Sequence, residues 1–428
     1  MKLHWFHLMP YPRLPADFAD RNRSVWVDID PSLCDPVTAH GMYNDYLDEL
    51  EFAAQSGFDG VCVNEHHSNG YGLMPSPNLM AATLARNTRD AAIVVMGNSL
   101  ALYNPPIRVA EEMAMLDVIS GGRLVAGFPV GTPMDTCFAY GLEPATLRAR
   151  YHEAHDLVVR AWTSDEPFPF NGRFTKLRYV NCWPRPVQRP HPPIWIPGGG
   201  SVDTWEWCAR MDYVYSYLSY FGFKAGSATM RGYWSKMAEL GKEPNPYQAG
   251  FIQFVGVADT DAEAMEMYRE PAEYFYHRCL HIHPGFADPP GYKTEATVRA
   301  GVESQIEAAS KVRQTAQSKG SRAGQPSWRD MVDAGYVIVG SPTTVAEQLH
   351  HAATSLNVGH LMLLLQFGNM TKELTRFNTD LFARQVMPEI HGLFDDKWED
   401  HWSPRPIVSG APPPEQLLQR LGDAAVTT

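Results

Sequence analysis

Two hydrophobic rhythms alternate along the first half of the chain. Short continuous apolar runs at Lys2–Met9, Phe58–Val63 and Ala91–Met96 predict buried strands. Between them, Gly41–Ser56 places Tyr43, Leu47, Leu50 and Ala54 at helical spacing and stops at Gly57. Pro77–Arg86 predicts the next helix. Asn104-Pro105-Pro106 then opens a helix carrying Ile107, Ala110, Met113, Ala114 and Leu116, and Gly121-Gly122 closes it. Proline at the entry and glycine past the exit is the expected helix asymmetry. The pattern continues as strand Arg123–Phe128, helix Arg148–Trp162, strand Pro193–Ile196, helix Ser201–Arg210 and strand Asp212–Ser216. It resumes at Tyr336–Val339 (strand), Ser341–Ser355 (helix), His360–Leu365 (strand) and Lys372–Val386 (helix).

Strand–helix alternation predicts a parallel sheet with helices outside it. There are enough units for eight, which favours a closed α/β TIM (β/α)8 barrel over residues 1–391. The chain has no GxGxxG and no GxxxxGK[ST], so the usual signs of a Rossmann or P-loop sheet are missing. Residues 280–330 break the rhythm. They open with loop-like Pro284-Gly285 and Pro289-Pro290-Gly291, then become polar and helical in pattern. This reads as an insertion on the barrel, either a lid or a plain surface excursion. Residues 392–428 are proline-rich and read as an extended C-terminal tail.

Charge narrows the partners. Across 428 residues, 36 Lys+Arg stand against 48 Asp+Glu, a formal net charge of −12. Such a chain offers no basic face for nucleic acid. Apolar runs are too short to cross a bilayer, and no signal-peptide pattern opens the chain. The six cysteines form no CxxC pair, so neither a disulfide framework nor a zinc site is indicated. A reducing, cytoplasmic setting follows.

Chemistry in such a barrel sits where strands end and loops begin. The strand ending at Val63 runs into Asn64-Glu65-His66-His67, a carboxylate and two imidazoles at the functional rim. Histidine exchanges protons near neutral pH, so proton handling by one of them competes with a purely structural role. Metal binding is the weaker reading, because adjacent residues present two rings to one ion poorly and no third ligand is evident. A second junction, Gly198-Gly199-Gly200-Ser201-Val202-Asp203-Thr204, allows close backbone approach. Ser201 and Thr204 share one face of a first helical turn whose amides favour phosphate. Ser201 as a simple N-cap is the bland alternative, and Asp203 would repel phosphate unless turned away. Arg148 could add a bidentate contact. Cys279-x-His281-x-His283 lacks the spacing of a common metal site. Trp5, Phe6, His7, Met9 and Tyr11 cluster at the end of the first strand and could line an apolar pocket.

Taken in order, several of these stretches resemble the bacterial luciferase-like flavin monooxygenases. They are Gly57-Phe58-Asp59-Gly60 through Glu65-His66-His67, Pro106–Glu111 through Leu116–Arg123, Ser201…Thr204 with Glu206-Trp207, Val339–Leu349, and Leu381–Pro388. The resemblance covers 1–215 and 335–391. It implies a barrel that binds reduced FMN and uses O2 to insert one oxygen atom into a small uncharged organic substrate, through a flavin C4a-(hydro)peroxide. It implies an acid/base role for His66 with Glu65, and cofactor contacts at Ser201, Thr204, Arg148, Ser99 and Gly200. It also implies a non-proline cis peptide at Ser99–Leu100, beside the flavin. Trp5, His7, Met9 and His67 would line the substrate pocket. The luciferase carries an arginine where this chain has Val130 and an acidic residue at Gly200, so the phosphate pocket here must be built differently. Electrons would come from a separate flavin reductase, and a homodimer or other homo-oligomer is implied. The alternatives are a deazaflavin-dependent oxidoreductase of the same fold, a flavin-binding relative without catalysis, and a metal-dependent barrel hydrolase.

Overall fold

The computed structural model describes residues 1–299, 326–394 and 397–406. Eight parallel strands close into a ring: β1 (Lys2–Phe6), β2 (Gly60–Val63), β3 (Ala92–Val95), β4 (Leu124–Gly127), β7 (Ile194–Gly198), β8 (Val214–Tyr217), β9 (Ala249–Val257) and β11 (His360–Leu364). Pairing of β8 with β9 completes the circle, with Tyr215 opposite Ala249. Helices fill the connections, as parallel strands require. The fold is a TIM barrel. Two strands, β5 (Phe168–Asn171) and β6 (Lys176–Val180), form a separate antiparallel hairpin. β10 (Val337–Gly340) is a ninth member of the sheet. It pairs with the C-terminal half of β9, whose N-terminal half pairs with β8.

The expected elements are present with ends shifted by a few residues. Helix Pro36–Gln55 starts earlier than expected, because Asp35 accepts from the Thr38 amide and Pro36 takes the first helical position. Helix Ile107–Ser120 ends at Gly121, whose φ of 69° is the left-handed cap that glycine adopts without strain. Within 217–335, helix Gly222–Glu239 and the wholly buried β9 supply the units the alternation had not delivered.

The inner side of β1 carries His4, packed edge-on to Trp195 and close to His360. The loops before the strands form the floor of the barrel, and residues 397–406 cross it. Trp195 Nε1 donates to the Trp402 carbonyl at 3.2 Å, and the Arg405 amide donates to Gln188 Oε1 at 3.1 Å. Residues 407–428 of the expected tail lie outside the described residues, as do 300–325 of the expected insertion. A short helix at Arg269–Tyr274 precedes the insertion, and within the rest of it the short helix Pro284–Ala287 leads to helical residues 295–299. No helix among the described residues is long and apolar enough to cross a membrane.

Candidate active site

The C-terminal ends of the strands gather polar residues, some of them singled out above and some not. Asn64–His67 follow β2, Ser99 and Tyr103 follow β3, Gly131–Tyr140 follow β4, and Gly199–Thr204 follow β7.

His66 is anchored by Asp135. Its Nδ1 lies 2.9 Å from Asp135 Oδ2, and its side chain keeps 14 % exposure. A carboxylate only accepts, so Nδ1 carries the proton and Nε2 is left as the basic nitrogen. Asp135 is nearly enclosed. It also accepts from the His67 amide (2.8 Å), Trp26 Nε1 (2.9 Å) and Thr132 Oγ1 (2.9 Å). Burial alone would raise its pKa. Its interaction with His66 and these hydrogen bonds win, and hold it below the ordinary carboxylate value. Two aromatic rings pack edge-on to the imidazole, Trp26 at 5.1 Å and Tyr71 at 4.8 Å, and are themselves stacked at 4.3 Å.

Glu65 turns to the next loop. Its Oε2 accepts from the Ser99 amide and its Oε1 from the Tyr103 hydroxyl, both at 2.6 Å. The Tyr103 hydroxyl is pushed far up by burial and by the Glu65 charge, so it stays a donor. His67 Nε2 sits 3.3 Å from the same carboxylate, off the line of a good hydrogen bond. Its Nδ1 is 3.4 Å from the Tyr140 hydroxyl. Glu65 thus fixes the loop after β3.

That loop contains a non-proline cis peptide at Met96–Gly97, three residues before the expected Ser99–Leu100. β3 ends at Val95, earlier than the apolar run suggested. Gly97 is required there by close approach: a Cβ would lie 1.8 Å from the Gly127 carbonyl oxygen.

Two of the phosphate-binding candidates meet. Arg148, on helix Pro144–Thr163, places Nη2 3.4 Å from Ser201 Oγ. Ser201 precedes helix Val202–Met211 but does not cap it with its side chain. Thr204 is buried one turn further on, and Gly200 takes φ +107° with Thr229 its nearest neighbour. These residues fit a phosphate monoester such as the tail of FMN. The donor set is a guanidinium, two hydroxyls and the first-turn amides of a helix. Arg148 Nε is buried without a partner among the described residues. A Cβ added to Gly199 would meet nothing within 4 Å, so the loop borders open space.

Trp5 and His7 do not join this assembly. Strand alternation sends them outward, into the layer between β1 and the helices. Trp5 Nε1 donates to Thr379 Oγ1 at 3.1 Å, and His7 Nε2 lies 3.1 Å from Glu49. His7 Nδ1 accepts from the Met9 amide at 2.9 Å, so Nε2 carries the proton and donates to Glu49. Met9 is fully buried at a left-handed φ of 52°. The aromatic wall beside His66 comes instead from Trp26 and Tyr71. Sequence reasoning missed these two and Asp135; Thr132-x-x-Asp135, just past β4, is the only local signal. Among the described residues no group of three or more His, Cys, Asp or Glu is arranged to hold a metal ion.

Comparison with known proteins follows the same lines. The family profile described as luciferase-like monooxygenase matches residues 31–358. An uncharacterized protein of Sinorhizobium fredii is 35 % identical over 155 residues, 36 % of this chain and 44 % of that protein. The oxygenase component of the flavin-dependent trigonelline monooxygenase of Acinetobacter baylyi is 29 % identical over 167 residues, 38 % of this chain and 45 % of that one. The chain therefore spans less than half the length of these two curated relatives. Limonene 1,2-monooxygenase of Rhodococcus erythropolis is 23 % identical over 355 residues, 81 % of each chain. Among solved structures, the oxygenating constituent of 3,6-diketocamphane monooxygenase from Pseudomonas putida, in complex with FMN, has a TM-score of 0.66 at 18 % identity. It covers 91 % of this chain and 99 % of that one. A secondary alcohol dehydrogenase dependent on coenzyme F420 has a TM-score of 0.60 at 16 % identity, covering 91 % and 98 %. At such identities the structural likeness carries the fold.

Proposed function

The chain belongs to the luciferase-like monooxygenase family, and from that premise we propose that it is the oxygenase of a two-component system. It would use reduced FMN and O2 to insert one oxygen atom into a small uncharged organic substrate. The observation that carries the reading is the meeting of Arg148 and Ser201, 3.4 Å apart, at the first turn of helix Val202–Met211. Two residues far apart in sequence converge there on a donor set suited to a phosphate monoester. Reduced FMN, when bound, would supply the electrons that activate O2.

The protein's own residues have three tasks. Arg148, Ser201 and Thr204 would hold the cofactor's phosphate. His66 would move a proton at Nε2, with Asp135 fixing the tautomer through Nδ1. Trp26 and Tyr71 would exclude water and give the substrate an apolar wall. Glu65 would position Ser99 and its loop rather than touch the reacting atoms. The A. baylyi relative is named as an oxygenase component, which supports electrons arriving from a separate reductase. All six cysteines are free, in keeping with a reducing cytoplasm.

The deciding experiment is an anaerobic titration with reduced FMN, followed by admission of O2 and measurement of hydrogen peroxide. Saturable binding and oxygen consumption without any nicotinamide cofactor are expected. No binding of reduced FMN, together with thermal stabilisation by a reduced deazaflavin, would replace this reading with the deazaflavin one.

A further inference from the structure

Residues 292–297 reach the phosphate-binding candidates from a distant part of the chain. Three of their side chains reach two different strand-end loops. Tyr292 donates its hydroxyl to the Gly131 carbonyl at 2.6 Å, in the loop after β4. Thr297 Oγ1 lies 3.2 Å from Ser201 Oγ, in the loop after β7. Thr294 Oγ1 donates to the Asp203 carboxylate and accepts from the Thr297 amide at 3.2 Å. It is also 3.0 Å from Thr297 Oγ1.

The proton count assigns different tasks to the two threonines. A hydroxyl has one hydrogen. That of Thr294 is committed to Asp203, the strongest acceptor in reach, so Thr294 has nothing to donate to an anion. Thr297 directs its hydrogen only at neutral hydroxyls, those of Ser201 and Thr294. It can redirect that hydrogen to a phosphate oxygen, exchanging a neutral hydrogen bond for a charge-assisted one. Asp203 is the one carboxylate in this group. Left free beside the first helical turn it would oppose an incoming phosphate, and Thr294 is the group that holds it.

We propose that Thr297 is a further ligand of the cofactor's phosphate, and that Thr294 is a positioning residue that keeps the Asp203 carboxylate off it. Residues 292–297 then act as a strap, fastened at Gly131 by Tyr292 and at Asp203 by Thr294. This rests on the flavin reading above and adds residues from outside the stretches on which the sequence resemblance was read.

The test compares two probes that differ only in the phosphate. Reduced FMN and reduced riboflavin are titrated anaerobically into the full chain, and the ratio of their dissociation constants is the readout. Wild type should prefer FMN. Thr297→Val should weaken FMN about tenfold, about 1.4 kcal/mol, and leave riboflavin unchanged; Thr297→Ser should restore the FMN value. Thr294→Val should also weaken FMN, and the double variant Thr294→Val/Asp203→Asn should recover it, because no carboxylate then remains to be held. Circular dichroism of each variant identifies any that fail to fold, and Thr297→Ser keeps the comparison open if Thr297→Val does. A Thr297→Val protein with the wild-type FMN-to-riboflavin ratio overturns the proposal. So does an equal loss for both flavins that Thr297→Ser repeats. If Arg148→Ala abolishes the preference while Thr297→Val does not, the strap fails and the cofactor reading stands. If wild type itself shows no preference, the cofactor reading fails and takes the strap with it.

Discussion

His66 owes its orientation to a residue that sits 69 positions later in the chain. Asp135 accepts from the His66 ring, the His67 amide, the Trp26 indole and the Thr132 hydroxyl, so nearly all its lone-pair capacity is spent on one geometry. Asp135→Asn keeps the shape but replaces one acceptor oxygen with a donor, and removes the charge that fixes the tautomer. The expected result is a folded protein that still binds reduced FMN but releases more of its oxygen as hydrogen peroxide, by tenfold or more. Peroxide yield per O2 consumed, compared with His66→Ala, checks it; wild-type coupling in Asp135→Asn would remove the role. The sequence showed His66, because a histidine directly after an apolar strand is conspicuous. It hid Asp135, because an aspartate in a polar loop looks like any solvated carboxylate. Trp5 and His7 were misplaced for a related reason. β1 is buried on both faces, with Lys2 and His4 on one and Leu3 and Trp5 on the other, so burial does not tell which set of alternating positions faces the axis.

At the scale of elements, the stretch Asp117–Arg123, part of one of the several stretches on which the family resemblance rested, serves the scaffold rather than the chemistry. Asp117 accepts from the Val187 and Gln188 amides at 2.7 and 2.9 Å, tying the chain down before it enters β7. Arg123 is buried and uses all five guanidinium donors. They reach the carbonyls of Ala85, Thr88, Ala91 and Ser120 and the Thr88 hydroxyl, at 2.6–3.0 Å. It therefore joins the ends of helices Pro77–Asn87 and Ile107–Ser120. Arg123→Met would strand these buried carbonyls, at a cost of about 3 kcal/mol or more. Urea unfolding measures the loss, and the folded fraction should bind FMN as wild type does. A midpoint within error of wild type would contradict the assignment. The elements that stayed illegible share a physical cause. Helix Gly222–Glu239 contains three glycines, which weaken a helical pattern. Strand β9 has no alternation, because all nine of its residues are buried. The β5–β6 hairpin depends on a distant carboxylate. Glu153 accepts from the amides of Arg173, Phe174 and Thr175 at 2.6–3.1 Å, and no local pattern announces that.

The molecule as a whole has an acid-sensitive base. His360 Nε2 donates to the His401 carbonyl at 3.0 Å, so its Nδ1 must accept, and His4 Nε2 donates to it at 3.1 Å. His4 Nδ1 is then a bare buried nitrogen without a partner among the described residues. Burial outweighs the nearby Asp59 charge and pushes His4 from 6.5 down to about 4, and His360 is lowered as well. An unfolded chain binds these protons below pH 6.5 and the folded one does not. Stability should therefore fall as pH drops from 6.5 toward 4, by about 3 kcal/mol for His4 alone, and level off below. Asp59 acts in a separate window: its pKa is depressed, so its contribution is lost only under stronger acid. His4→Gln should flatten the upper part of the profile, read as urea midpoint against pH; an unchanged slope would discount the pair.

Closure of that base has a kinetic consequence. Trp402 and Arg405 are drawn across the N-terminal ends of the strands, and the candidate site lies at the opposite rim. Under the proposed function, flavin, oxygen, substrate and oxygenated product would share that rim, so departures would set the timing of arrivals. Turnover should then slow in viscous solvent, as queueing at a shared rim demands.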